Sequence, residues 1–163
     1  MNLGRALIDL HDAESNLAGQ LRKTGERHAT EHDFFHLCHT LALQCEQHAS
    51  KLEPFGLRYG VGLTATGDGG GGGIGEFLRR RAAELTGHKP ESGLEFLDDL
   101  RRLLLAAEDV SIQWVMVGQA AQAVRDPELL DAVTECHTET EIQVKWLTTR
   151  IKTAAPQALA SGP

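Results

Sequence analysis

The stretch LGRALIDLHDAESNLAGQL, residues 3–21, decides the fold. Leu3, Leu7, Leu10, Leu17 and Leu21 recur at alternating spacings of four and three, and Glu14 fills the remaining place in the series. That is the inward stripe of a bundle helix, predicted here from about residue 3 to residue 28. A leucine seam interrupted once by a carboxylate also raises a question of function. Glu14 is a buried acid paired with His48 or Arg101, the mark of a partly wet interior, or a ligand. Dry and unpaired, it would be very costly.

The same periodicity recurs in three further segments, and no segment of useful length alternates like a strand. Residues 36–54, HLCHTLALQCEQHASKLEP, belong to a second helix that should start at a Thr30 or Asp33 cap and stop at Pro54 and Gly56. Its stripe reads Phe34, Cys38, Leu41, Cys45, His48, Leu52, so Cys45 and His48 face inward while His36 and His39 lie on a flank. A third helix is predicted from about Gly93 to Val124, with Phe96, Leu100, Leu103, Ala107, Val110, Trp114, Val117 and Ala121 on its stripe and Glu108 beside it. The turn RDPE, residues 125–128, places Pro127 in the first turn of a fourth helix that runs to about Lys152. The expected stripe there is Leu130, Val133, His137, Thr140, Val144, Leu147, Ile151.

Residues 54–92 form a long crossover containing five consecutive glycines, which neither sustain a helix nor supply core. A short helix is predicted within it over 76–85, and its Phe77, Leu78 and Leu85 would pack on the bundle or on a second subunit. So long a connection suits a bundle of two helical hairpins whose second and third helices run parallel. The expected fold class is therefore all-α, an antiparallel four-helix bundle in one domain over residues 1–153, with a flexible tail at 154–163.

Composition narrows the function classes. Hydrophobic residues make up 41% and charged residues 24%, the balance of an ordinary globular domain. A net charge of -7 argues against a general nucleic-acid footprint. No apolar run reaches bilayer length, and the N-terminus carries acids early, unlike a signal peptide. Three cysteines, an odd count without a CxxC pair, fit free thiols in a reducing compartment, so a cytoplasmic location is expected. Cys38, Cys45 and Cys136 read as small hydrophobes, with Cys38 and Cys45 two turns apart and beyond disulfide reach. His28, His32, His36 and His39 form a flank that reads as solvated, though such spacing also binds zinc or nickel adventitiously. Glu135, Glu139 and Glu141 read as a charged face.

Carboxylates and histidines projecting inward from bundle helices bind iron or manganese when they reach one level. Counted from the turn near Thr30, Glu14 lies about sixteen residues back, while Cys45 and His48 lie about fifteen and eighteen forward. Counted from Asp126, Glu108 lies about eighteen back, and Thr140 and Gln143 about fourteen and seventeen forward. These groups are expected within a turn of one another, with His137 off the level.

At these residues the chain resembles a known group. DLHDAESNL, residues 9–17, looks like the first helix of the small bacterial stress-associated ferritin-like proteins, the YciE/YciF-like branch. CEQHASKL, residues 45–52, and ETEIQVKWLTTRI, residues 139–151, are similar to the ExxH-containing helices of bacterioferritins. The ferritin-like pattern is one glutamate on each of helices one and three and an ExxH on each of helices two and four. Glu14 and Glu108 match the lone glutamates, and His48 matches a histidine. Cys45 replaces the glutamate of the first ExxH, and Thr140 and Gln143 replace both members of the second. The resemblance thus implies a metal site reduced to Glu14, His48 and Glu108, with Cys45 as a thiolate ligand or redox-sensitive neighbour. Such a set holds at most one ion of iron or manganese, in an iron- or oxidant-stress protein. The missing glutamates equally fit a metal-free, non-enzymatic, homodimeric interaction module on the same fold.

Overall fold

The computed structural model describes residues 2–64 and 93–161, and these form four helices with no strand among them. They are α1 (Asn2–Arg27), α2 (His32–Arg58), α3 (Gly93–Ala123) and α4 (Pro127–Ala160). The predicted short helix over 76–85 and most of the crossover lie outside the described residues. Every position of the α1 stripe, Glu14 included, is buried, as are all of those predicted for α2. Among the described residues no helix is long and apolar enough to cross a membrane.

The helices adjoin in a ring. α1 packs along α2 and α3, and α4 packs along α3 and α2, leaving α1 opposite α4 and α2 opposite α3. In each adjoining pair, residue numbers rise along one helix as they fall along the other. Arg22 meets Glu46 and Arg27 meets Asp99, whereas Lys51 meets Glu135 and Arg58 meets Asp126. Close approach between α1 and α2 depends on a small residue. A Cβ on Gly25 would lie 2.9 Å from that of Cys38.

Three helix ends differ from expectation. Neither Thr30 nor Asp33 caps α2. Glu31 takes the N-cap position without a side-chain bond, and Asp33 serves in the first turn, where its charge suits the helix N-terminus. Pro54 and Gly56 do not stop α2, which runs on to Arg58. A proline inside a helix costs about 3 kcal/mol. Here the last turn is held from outside by Arg58 and Tyr59 on Asp126. Gly56 instead makes room for the returning chain. Val61 donates to its carbonyl at 2.8 Å, and a Cβ there would lie 2.5 Å from Leu63. Lastly, α4 continues past Lys152 and through Pro156 to Ala160, so residues 154–160 are helix rather than tail. Burial of Ala154 and the contact of Ala158 with Gly93 hold that extension against the start of α3.

Half of the α4 stripe is as expected, with Val133, Thr140 and Leu147 buried, and the other half is shifted by one residue. Leu129, Cys136 and Gln143 are buried, whereas Leu130, His137 and Val144 are only half-buried. Polar Gln143 is accepted inside because Gln44 and Cys45 both bond to it.

Candidate functional site

The leucine seam of α1 carries Glu14 to the middle of the bundle, where its side chain is fully buried. The stripe of α2 brings His48 against it, with Nδ1 3.0 Å from Glu14 Oε1. From α3 the Trp114 indole N–H donates to the same oxygen at 2.8 Å. On the far side of the imidazole, Nε2 lies 2.6 Å from Oε2 of Glu139 on α4. A single hydrogen-bonded chain, Trp114–Glu14–His48–Glu139, therefore joins all four helices.

The chain favours the protonated form of His48. Carboxylates only accept, so two N–H donors on one ring require the imidazolium form. Burial works against that proton, but bonds to Glu14, then to Glu139, and the charges of both outweigh it and raise the His48 pKa above 6.5. Glu139 is partly exposed, so the chain opens to solvent at one end only. Among the described residues one buried atom of the site, the second oxygen of Glu14, has no hydrogen-bond partner.

Cys45 lies beside this group, its thiol 3.7 Å from the Gln143 side-chain oxygen. Burial, and next the charge of Glu14, push its pKa well above the ordinary thiol range. It is therefore held as a thiol, which is not the reactive nucleophilic form. Cys38 and Cys136 are likewise buried and free, with burial raising each to about 12.

Of the expected ligand set, the structure brings Glu14 and His48 together and leaves Glu108 out. Glu108 is exposed on the outer side of α3, and the helix presents Trp114 to the centre instead. The helical angle decides this. Glu108 follows the buried Ala107 by one residue and is turned about 100° away. Arg101 is exposed as well, so the partner of Glu14 is His48. Among the described residues, no three histidines, cysteines or acids converge so as to hold a metal ion. His32, His36 and His39 are exposed, and His39 turns its Nδ1 to Arg22. His28 does not share that flank. It is buried between Phe34 and Phe96 and bonds Asp99 at 2.8 Å.

Two residues of the chain escaped the sequence reading, Trp114 as a donor and Glu139 as an acceptor. Trp114 was legible as core, and the signal in its favour was that a buried indole N–H seeks an acceptor. Glu139 adjoins Thr140, a residue already placed at the right level, but its neighbours Glu135 and Glu141 made it look like a solvated face.

Comparisons of the chain with protein-family models, with curated proteins and with solved structures find no match.

Proposed function

We propose that the protein is a metal-free, non-enzymatic bundle of ferritin-like topology that works as a self-associating structural module. The observation that carries this reading is the engagement of both His48 nitrogens by carboxylates, Glu14 on one side and Glu139 on the other. A metal ligand needs one imidazole nitrogen free of a proton, and here each nitrogen lies within hydrogen-bond distance of a carboxylate that favours keeping its proton. Trp114, where a third-helix carboxylate would have to stand, offers a donor and no lone pair. The ferritin-like assignment rests on helix order and on the opposed sense of neighbouring helices, which leave α2 and α3 parallel at opposite corners.

A second reading keeps one iron or manganese ion on Glu14 and His48, in an iron- or oxidant-stress role. The partnerless Glu14 oxygen, buried beside Cys45, favours it. Metal analysis of protein purified without a histidine tag separates the two. Iron, manganese and zinc far below one equivalent support the metal-free module. One equivalent that is lost in both Glu14→Gln and His48→Gln establishes the second reading.

A further inference from the structure

α3 has two apolar faces. One holds Leu103, Val110, Trp114 and Ala121 in the core. On the opposite side Leu94, Leu105, Ile112 and Met116 lie within about 40° of a single line, each more than half exposed. An outward stripe of this kind on a bundle helix marks an interface.

The charges beside the stripe say what covers it. Arg101 and Arg102 stand one turn before Leu105, and Glu108 and Asp109 stand one turn after it. Arg101 and Glu108 share one flank of the stripe, and Arg102 and Asp109 share the other. Laid antiparallel on itself about a two-fold axis at Leu105, the helix brings each arginine to an acid on the same flank of the second copy. Arg101 then meets Glu108, Arg102 meets Asp109, and the two-fold repeats both pairs. Leu105 meets its own copy, Leu94 meets Met116, and Ile112 lies over Asp98 and the stem of Arg101. A parallel, in-register pairing would set arginine on arginine and acid on acid. Among the described residues neither Arg101 nor Glu108 has an ion-pair partner within the chain, while Asp109 takes a bond from Gln113 and Arg102 stands 4.0 Å from Asp99.

We infer that the protein forms a two-fold homodimer through the outer face of α3, with the arginine and acid pairs setting its antiparallel register. This deepens the interaction-module reading by naming its partner as a second copy. One helix face buries an area at the low end of specific interfaces, about 1,200 Å² in total, the size range of weak and transient pairs. Exposed ion pairs add little affinity by themselves, and the apolar stripe supplies the rest.

Sedimentation equilibrium of the full chain, from about 1 to 500 µM, tests this. The dimer should appear across that range. Arg101→Glu with Arg102→Glu should weaken it at least about tenfold, and adding Glu108→Arg with Asp109→Arg should restore it to within about threefold. Leu105→Glu should abolish it. All four charged positions are exposed, so circular dichroism should report unchanged helix content in these variants. A monomer throughout, or a dimer indifferent to the first charge reversal or not rescued by the second, overturns the proposal. Either result leaves the metal-free assignment, which metal content decides, untouched, whereas a monomer throughout also removes self-association from the proposed function.

Discussion

The Trp114 indole N–H and the His48 imidazole share one oxygen of Glu14, at 2.8 and 3.0 Å. Glu14 thus satisfies two buried donors from two different helices. A leucine in its place would fill the space but strand both donors and leave the imidazolium without its inner partner. Breaking a buried ion pair from one side costs about 3 to 5 kcal/mol. Glu14→Leu should therefore lower stability in chemical denaturation by about 3 kcal/mol or more. Glu14→Gln keeps a carbonyl acceptor and should lose less. A stabilised leucine variant would mean that the carboxylate is not paired in solution.

His48 sets a pH dependence whose sign follows from the raised pKa. The folded protein holds this proton more tightly than the unfolded chain, whose histidines titrate near 6.5. The stability it contributes is complete below about pH 6.5 and is lost as pH rises through the folded-state value. Denaturation midpoints should decline on going from pH 6 to pH 8, and His48→Gln should flatten that decline. A proton NMR titration should place His48 above the ordinary histidine value of about 6.5. Glu139→Gln should move His48 downward while preserving the fold, because Glu139 lies at the open end of the chain.

How far the sequence led is best seen at Glu14, Glu108 and Pro54. Glu14 was legible because a period of 3.5 residues names its neighbours without ambiguity. Glu108 was not, because level along an axis follows from counting residues whereas angle around it turns about 100° with each one. A one-residue error in phase therefore nearly preserves height and turns the side chain about 100° out of the core. Pro54 was read as a stop from local chemistry and Pro156 as part of a flexible tail, and tertiary contacts overruled both. Arg58 and Tyr59 hold one helix past its proline, and the packing of Ala154 and Ala158 holds the other. Central pairing of Glu14 with His48 could be proposed from the chain alone, but the fourth member, Glu139, required coordinates.

The three thiols should be silent in the folded state. All are buried, and burial raises the pKa of each, to about 12 for Cys38 and Cys136. Thiolate, the reactive form, is then scarce at pH 8, and access requires opening of the helices. Native protein should show no fast reaction with a chromogenic disulfide reagent, and three equivalents should react in denaturant. Rapid native labelling of Cys45 would revive a redox role at the central site.

The end of the bundle opposite the first turn depends on Asp126. Its carboxylate caps α4 through the Leu129 N–H at 3.1 Å, accepts from the Tyr59 hydroxyl at 2.7 Å, and receives Arg58 on both oxygens at 2.8 Å. The cap, the hydroxyl bond and the ion pair separate by substitution. Asp126→Asn retains an oxygen for the cap and gives up the charge. Asp126→Ala gives up everything, including a cap that by itself is worth about 1 kcal/mol. Tyr59→Phe removes the hydroxyl alone. The alanine variant should therefore be the least stable of the three. It should also release the segment of α2 beyond Pro54, whose helical state rests on these bonds. Hydrogen exchange at residues 55–59 checks this directly. Exchange should accelerate there in Asp126→Ala while the amides around His48 stay protected. Uniform acceleration would mean that the clamp supports the whole bundle, and no acceleration that α2 carries its proline unaided.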